Sequence, residues 1–304
     1  MSIILLLFII VTYVIVFLLY RFENMELQMA KIVPVHTIKE ENVKNFLEVN
    51  PVKRAKMKDI TGKHFLTYVT INEKYIPEIL DENIKSFKND LTFGEYAFFD
   101  NDDCAKFIEN YFPPKICKAY TKLKPEAFRC DLWRLCVLYQ FGGLYTDISL
   151  SRESNLSSFE EYDFVLCEDL KKPDIFNAVL YFKKPKHEFL HFCIENISND
   201  ILNERYGNSY LDITGPAALG RLFSKFYNHT PSHGKNKIGT QNFLFLRMKT
   251  KINILGEKNL WIELHDKILL KRHPKYNKVR NFFTRLQKTN KYYDLWNQKK
   301  VYHD

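Results

Sequence analysis

Three charged residues, Asp131, Arg134 and Asp147, lie close together in this 304-residue chain and could bind one polar ligand. Asp131 and Arg134 are three residues apart, a spacing that places both side chains on one face of a helix. Carboxylates accept hydrogen bonds from hydroxyls, and a guanidinium donates to carboxylates or phosphates in a fixed fork. If Asp147 lies beside that helix, the three side chains line a cleft that suits a ligand carrying both phosphates and hydroxyls.

A helix is predicted to carry the first two of these residues. Apolar residues recur at helical spacing and should face a core; they are Phe128, Leu132, Leu135 and Tyr139. Pro125 suits the first helical turn, where its missing N–H costs no hydrogen bond. Gly142 and Gly143 follow, and glycine readily takes the left-handed conformation that ends helices.

A short buried strand is predicted after the glycines, over residues 144–148, with Asp147 near its solvent-facing end. Packing of the helix on this strand would bring the three charged side chains to one cleft. Simpler interpretations remain open at this point. Asp131 and Arg134 could be an ordinary surface pair worth about 0.2–0.5 kcal/mol, and Asp147 could merely mark the end of a strand.

The spacing of these motifs resembles that of a known family. Asp131-x-x-Arg134, a turn or two of helix, and then Gly142-Gly-x-Tyr145-x-Asp147 is similar to the signature of DXD-type glycosyltransferases. These are grouped with the fungal initiating α-1,6-mannosyltransferases and are similar to the glucosylating domains of large clostridial toxins. Weaker similarities occur at residues 63–70, 96–103, 177–185, 214–216 and 295–302. The resemblance covers most of residues 63–304, but its specific part is the core from Asp131 to Asp147.

The resemblance implies a GT-A type fold, a single nucleotide-binding α/β domain with a largely parallel central sheet. It also implies a retaining hexosyltransferase that moves a hexose from GDP-mannose or a UDP-sugar to a glycan or protein-linked acceptor, by front-face attack without an enzyme nucleophile. The catalytic residues would be Asp131, Arg134 and Asp147. The donor-binding residues would be the same three together with Gly143, Tyr145 and Trp296.

The same resemblance implies a divalent metal, Mn²⁺, held at positions 147 and 149. Ser149 stands where the family has its second aspartate. A hydroxyl is neutral and a poor ligand for a hard cation, which prefers charged oxygens. Glu263 and Asp266 are candidates for supplying the missing oxygen. The alternative is a catalytically degenerate protein of the same fold that binds sugar or nucleotide without turnover.

The composition fits a folded α/β domain. The chain is 46% hydrophobic and 15% aromatic, enough for a packed core, and its 27% charged residues argue against wholesale disorder. Strand-like and helical segments alternate, which favours an α/β domain with a largely parallel sheet. The strands are predicted at 65–70, 95–100, 144–149 and 162–167, and the helices at 76–89, 103–111, 125–141, 187–204 and 216–227. Ligands of such sheets bind beyond the carboxyl ends of strands, where Asp147 falls.

An uncharged run from Ile3 to Tyr20 is predicted to span a membrane. Its 18 residues would form a helix of about 27 Å, close to the hydrocarbon thickness of a bilayer. The run lacks the small-residue cleavage site of a signal peptide. We therefore expect a transmembrane anchor at residues 1–20, a stem at 21–62 and the catalytic domain at 63–304.

The orientation in the membrane and the role of the basic residues are less determined. Arg21 after the apolar run favours a cytosolic domain, whereas the resemblance implies a type II protein with a lumenal, Golgi- or ER-like catalytic domain, which we expect. Ten Lys and Arg residues against one Asp lie between Lys271 and Lys300, in a chain of net charge +9. A solvated helix face explains them most simply; attraction of a diphosphate or a membrane is open, and nucleic-acid binding is disfavoured.

Overall fold

The structure, a computed structural model, describes residues 49–51, 64–67, 75–253, 258–273, 276 and 292–303. The predicted anchor at residues 1–20 lies outside these residues, as does the stem apart from residues 49–51. Within the described ranges, no helix is both long and apolar enough to cross a bilayer. The anchor, the stem and their boundaries therefore stay predictions.

The elements are as follows. The helices are α1 Glu78–Ser86, α2 Asn101–Tyr111, α3 Pro114–Lys122, α4 Glu126–Phe141, α5 Glu188–Leu202, α6 Pro216–Tyr227 and α7 Tyr292–Asn297. The strands are β1 Val49–Pro51, β2 His64–Thr67, β3 Tyr75–Pro77, β4 Tyr96–Phe99, β5 Gly143–Thr146, β6 Leu150–Arg152, β7 Phe164–Glu168, β8 Val179–Phe182, β9 Gly234–Ile238, β10 Gln241–Ile252, β11 Lys258–Leu264 and β12 Lys267–Arg272. Short 3-10 helices occur at Ser157–Glu161 and Tyr210–Asp212.

The main sheet is mixed, not largely parallel, so that part of the fold prediction is wrong. Its strand order is β4-β2-β5-β8-β7-β10-β11-β12-β6, and β9 pairs with β10. Among the described strands of this sheet, β2–β4, β2–β5 and β7–β10 pair in parallel and the other six pairs are antiparallel. Short connections account for four of the antiparallel pairs, β7–β8, β9–β10, β10–β11 and β11–β12, because a parallel pair needs a crossover of about a dozen residues or more. The β11–β12 turn, for example, consists of His265 and Asp266, both at positive φ.

The sheet curls so that its two ends approach each other. Strand β6 pairs with β12 at one end of the strand order, while β5 lies near the other end. Three residues, 147–149, connect β5 to β6, so Thr146 and Leu150 are at most about 14 Å apart. The far end of the sheet therefore lies close to Asp147, the residue that follows β5.

Two large apolar cores pack on the two faces of the curled sheet, and a third, smaller cluster consists of Leu66, Leu80, Ile84, Phe98 and Ile148. The helix-side core lies under the helices and includes Trp133, Tyr145, Phe164 and Phe182. The inner core lies on the other face and includes Leu144, Val165, Leu244 and Ile262. Successive residues of β5 thus point to opposite cores, as the pleat of a strand requires. The Trp133 ring of α4 lies 6.2 Å from the ring of Tyr145 on β5, which fixes the helix against that strand.

The sequence predicted the elements around the site well. Helix α4 begins directly after Pro125 and ends at Gly142, and Phe128, Leu132 and Leu135 of the predicted stripe are buried. The other predicted helices and strands match α1, α2, α5, α6, β2, β4, β5 and β7 within a few residues. Helices α3 and α7 and strands β1, β3, β6 and β8–β12 were not predicted. The six cysteines are free thiols, five of them buried.

The turn between α4 and β5 requires glycine. Gly142 has φ 68° and ψ −157°, a region that is essentially closed to other residues. Its N–H donates to the carbonyl of Leu138 at 2.8 Å and closes the helix. A Cβ at this position would lie 3.0 Å from backbone atoms of Phe182 and Lys184, so the turn also packs against the end of β8.

We predict that Gly142→Ala lowers the free energy of unfolding by about 2–5 kcal/mol, because backbone strain and overpacking act together. Gly239→Ala is the matched control: Gly239 also has positive φ, 57°, but a Cβ there would meet nothing within 4 Å. Its cost should be about 1–2 kcal/mol from the left-handed backbone alone. Urea denaturation measures both values. Equal losses in the two variants would contradict the packing of Gly142 against β8.

Candidate functional site

The structure brings the three predicted charged side chains together. Helix α4 carries Asp131 and Arg134, and Asp147 follows β5 at its carboxyl end. Nη2 of Arg134 lies 3.0 Å from Oδ1 of Asp131, and its Nη1 lies 3.4 Å from Oδ1 of Asp147. One guanidinium therefore contacts both carboxylates. This arrangement excludes the simpler interpretation that Asp131 and Arg134 form an isolated pair on a helix surface.

Arg134 is the buried centre of this cluster. It is 6% exposed, its Nη1 donates to the carbonyl of Asn177 at 2.7 Å, and its Nε donates to the carbonyl of Cys130 at 3.3 Å. The guanidinium also lies 4.5 Å from the ring centre of Tyr145. Burial acts to lower the pKa of Arg134, but Tyr145 and the two carboxylates raise it above its usual value. The guanidinium thus stays charged and holds the carboxylates in place.

Asp131 is held by Arg134 on its own helix and by groups from two other parts of the chain. Oδ1 accepts a hydrogen bond from Nδ2 of Asn177 at 2.8 Å, besides its ion pair with Arg134. Oδ2 accepts one from Oγ1 of Thr214 at 3.0 Å. Burial raises the pKa of Asp131, although Arg134 and the hydrogen bond from Thr214 act in the opposite direction. A carboxylate held so closely has a fixed orientation towards any ligand in the cleft.

Asn177 and Thr214 were not predicted as site residues. Both fall in segments with a weak family resemblance, 177–185 and 214–216, which was the available signal. They lie 46 and 83 residues after Asp131 in the chain. No local periodicity relates positions so far apart, so residue patterns near them do not indicate a contact with Asp131.

Asp147 is the most exposed of the three charged residues, since 31% of its side chain is accessible against 14% for Asp131. Its Oδ1 accepts a hydrogen bond from the Tyr145 hydroxyl at 2.8 Å, and its backbone N–H donates to the carbonyl of Ala178. The peptide and one carboxylate oxygen are thereby fixed. Asp147 is accordingly the carboxylate best placed to meet a ligand.

Two of the other predicted donor contacts, Gly143 and Tyr145, lie on β5, which leads to Asp147. Gly143 begins β5 with φ 90° and is buried, and Tyr145 is buried against Arg134. Trp296 of α7 is partly buried, and its Nε1 donates to the carbonyl of Tyr206 at 2.8 Å. The indole therefore anchors the C-terminal segment to the loop after α5. Its predicted role in covering a donor sugar stays a prediction.

Ser149 does not offer its hydroxyl to the cleft. The residue is 1% exposed, and its Oγ is buried with no hydrogen-bond partner among the described residues. A cation in a solvent-filled cleft could not reach that oxygen without rearrangement. The placement of the side chain thus does not support the predicted metal contact at position 149, which stays a prediction.

The two alternative acids are engaged elsewhere. Glu263 accepts a hydrogen bond from Nε1 of Trp261 at 3.0 Å and pairs with Lys249 at 2.5 Å. Asp266 lies in the β11–β12 turn with 94% of its side chain exposed. Among the residues that the structure describes, no three His, Cys, Asp or Glu side chains are grouped so that they could hold a metal.

A divalent cation could bind this site through one protein carboxylate, that of Asp147. Small hard cations are often bound through one or two carboxylates together with substrate phosphates. Asp147 supplies one such carboxylate with accessible surface, and a diphosphate would have to supply further oxygens. DXD glycosyltransferases generally use a divalent metal, and the residues present are compatible with that use when the nucleotide is bound.

We predict that Arg134→Met lowers the free energy of unfolding by about 3–5 kcal/mol, because two partly buried carboxylates lose their shared cation. Arg129→Met on the same helix is the control. Arg129 is partly exposed and donates to the carbonyl of Leu123, so its loss should cost about 1 kcal/mol. Both values follow from urea denaturation. Similar losses in the two variants would argue against Arg134 as the centre of the cluster.

We also predict that Ser149→Ala raises the free energy of unfolding by about 1 kcal/mol, because it removes a buried hydroxyl that lacks a partner. Ser198→Ala is the matched control, since Ser198 is 0% exposed and its Oγ also lacks a partner within the described part of the chain. Stabilisation by Mn²⁺ with UDP or GDP should be equal in both variants and in wild type. A selective loss in Ser149→Ala would instead identify the hydroxyl as a metal ligand.

Comparison with known proteins relates part of this chain to glycosyltransferases. Residues 67–165 match the family described as glycosyltransferase sugar-binding region containing DXD motif. The chain is 24% identical over 140 residues to the uncharacterized glycosyltransferase L373 of Acanthamoeba polyphaga mimivirus, which covers 45% of this chain and 54% of that protein. The chain thus matches about half the length of this curated relative.

Among solved structures, the PaToxG glycosyltransferase is similar at 12% identity and a TM-score of 0.41, over 60% of this chain and 72% of its own. That likeness is too distant to support an argument about fold or activity. The family match is different in kind, because the matched residues 67–165 contain Asp131, Arg134 and Asp147. Residues 67–165 therefore match the DXD-containing sugar-binding region of a glycosyltransferase family, and the predicted resemblance to DXD-type glycosyltransferases is confirmed.

Proposed function

We propose that this protein is a retaining glycosyltransferase that moves a hexose from a sugar nucleotide to a glycan or protein-linked acceptor. The observation that carries the proposal is the contact of Arg134 with both Asp131 and Asp147 at the carboxyl end of β5. The trio has a net charge of −1, with one carboxylate fixed and the other partly accessible. Such a pair of oriented carboxylates suits the hydroxyls of a sugar or ribose.

In this proposal the side chains have different roles. Asp147 binds ribose or sugar hydroxyls through its accessible carboxylate. Asp131, held by Arg134, Asn177 and Thr214, binds hydroxyls of the donor sugar at the bottom of the cleft. Arg134 positions both acids. The donor contacts that were predicted for its guanidinium would have to use N–H groups that do not bind these acids or the backbone carbonyls.

Departure of a nucleoside diphosphate develops negative charge that must be stabilised by groups already in place. A divalent cation, proposed to be Mn²⁺, would supply Lewis-acid stabilisation of this leaving group when bound at Asp147. Retention of configuration and front-face attack by the acceptor hydroxyl are proposed from the family resemblance. They require no enzyme nucleophile, and we assign none of the described residues to that role.

The donor, acceptor and location belong to the same proposal. GDP-mannose and UDP-hexoses are the proposed donors, and the acceptor is a glycan, glycoprotein or glycolipid. A membrane anchor at residues 1–20 and a lumenal catalytic domain would place the enzyme where glycans are built. The basic region from Lys271 to Lys300 would then attract the donor diphosphate or the membrane surface, whereas nucleic acid is not a proposed partner.

A second candidate function is a catalytically degenerate protein that binds sugar nucleotide without turnover. Ser149 motivates it, because a buried neutral hydroxyl stands where the family has a metal-binding carboxylate. Such a protein would bind UDP or GDP with an affinity indifferent to Mn²⁺ and would release no free nucleotide from any donor.

The test is a donor panel of GDP-mannose, UDP-glucose, UDP-galactose and UDP-N-acetylglucosamine, assayed for nucleotide release with and without Mn²⁺. We predict that Asp147→Asn lowers release from the active donor by about 10²–10³-fold, the loss typical of a group that stabilises the transition state, with an unchanged unfolding transition. The control is Asp102→Asn, an exposed acid in the first turn of α2.

Full release by Asp147→Asn would contradict the role of that carboxylate. Binding of UDP or GDP by calorimetry, without Mn²⁺ dependence and without release from any of the four donors, would favour the degenerate binding protein. Neither release nor nucleotide binding in wild type would contradict both functions.

A further inference from the structure

A second charged cluster surrounds Asp212, two residues before Thr214 in the chain, and does not include the charged residues of the donor site. Asp212 is 4% exposed and ends the short 3-10 helix Tyr210–Asp212. Its Oδ2 accepts a hydrogen bond from Nη2 of Arg205 at 2.7 Å, and its Oδ1 accepts one from Nε of Arg221 at 2.9 Å. Two guanidinium groups therefore fix this one carboxylate from both sides.

Asp200 joins the same two arginines. Its Oδ2 lies 2.9 Å from Nη2 of Arg221 and 3.4 Å from Nη1 of Arg205. We refer to Asp200, Arg205, Asp212 and Arg221 as the arginine clamp. The two acids of the clamp differ in one respect: Asp212 lies on the loop that leads to Thr214, whereas Asp200 lies on α5.

The backbone of the loop also closes around Asp212. Nη1 of Arg205 donates to the carbonyl of Asp212, and the N–H of Asn208 donates to its Oδ2 at 3.2 Å. Gly207 has φ 64°, and a Cβ there would lie 2.7 Å from Oδ2 of Asp212. The carbonyl of Arg205 accepts a hydrogen bond from the hydroxyl of Tyr302, which ties the C-terminal segment to the same loop.

Two residues connect this carboxylate to the donor site. Ile213 is 0% exposed and Thr214 is 2% exposed, so neither side chain has room to move. The hydroxyl of Thr214 donates to Oδ2 of Asp131 at 3.0 Å. Because Asp212 and Thr214 are at most about 7 Å apart along the chain, the position of one limits the position of the other.

We propose that Asp212 is a positioning residue for the donor site, which holds the Thr214 hydroxyl against Asp131 through the arginine clamp. Its effect on turnover rests on the proposed glycosyltransferase function, whereas its effect on the loop does not. Burial acts to raise the pKa of Asp212, but the hydrogen bonds from Arg205 and Arg221 hold it below its usual value. The carboxylate is therefore ionised at neutral pH and makes charge-assisted hydrogen bonds.

The test compares Asp212→Asn with Asp200→Asn. Both changes remove one charge from the clamp at nearly constant size, but of the two acids only Asp212 lies on the loop before Thr214. We expect Asp212→Asn to lower kcat/KM for the active donor by about 10–100-fold, the scale of a displaced site residue, and Asp200→Asn to change it less than about twofold. Equal losses in the two variants would overturn the proposal.

A double-mutant cycle separates positioning from general damage. If Asp212 acts through Thr214, Asp212→Asn adds little to the loss of kcat/KM already caused by Thr214→Val, so the double variant resembles Thr214→Val alone. If Asp212 supports the fold in general, the two losses multiply. Multiplied losses would therefore count against the proposal even where Asp212→Asn alone is impaired.

Hydrogen–deuterium exchange of residues 208–216 tests the loop without any donor. Exchange in this peptide should rise at least tenfold in Asp212→Asn and remain at the wild-type rate in Asp200→Asn. If Asp212→Asn does not fold, Gly207→Ala replaces it, because the added Cβ displaces the same carboxylate from the backbone side. Unchanged exchange overturns the positioning role, whereas raised exchange in a protein without turnover contradicts the proposed function alone.

Discussion

The site depends on one buried cation. Arg134 is 6% exposed and remains charged, so it requires anionic partners inside the protein. Asp131 supplies one from the same helix, Asp147 supplies another from the end of β5, and the carbonyls of Cys130 and Asn177 accept from the remaining directions. These contacts hold helix α4 in one position relative to the ends of β5 and β8. The geometry of the site is fixed as a result.

The two carboxylates share this cation but differ in freedom. Asp131 also accepts from Asn177 and Thr214, while Asp147 accepts from Tyr145 and keeps 31% of its side chain accessible. Burial raises the pKa of the first carboxyl, and its partners act to keep the charge. A fixed, less exposed acid beside a more accessible one could provide two distinct contacts for one polyhydroxylated ligand. That asymmetry follows from packing, not from the residue types, since both are aspartates.

Local patterns predicted the part of the site that lies within one supersecondary unit. The stripe ending at Tyr139, the glycine turn and the strand before Asp147 are all encoded within about twenty residues, so α4, β5 and their three charged residues were placed correctly. Asn177 and Thr214 reach Asp131 only through the tertiary fold, and no pattern near them indicates that contact. The antiparallel strand pairs were not predicted for a similar reason. The direction of pairing depends on the connections between strands and not on the periodicity of each strand.

Ser149, the residue at which this chain departs from the family motif, is buried because of the way the sheet curls. Residues 147–149 must join β5 to β6, and β6 is held by its pairing with β12. This connection places position 149 inside the protein, where Ser149 is 1% exposed and its hydroxyl has no partner among the described residues. An ionised carboxylate buried there without a counter-ion would cost several kcal/mol, far more than an unpaired hydroxyl. A serine is therefore better suited than an aspartate to this backbone path, and the accessible negative charge of the motif is concentrated on Asp147.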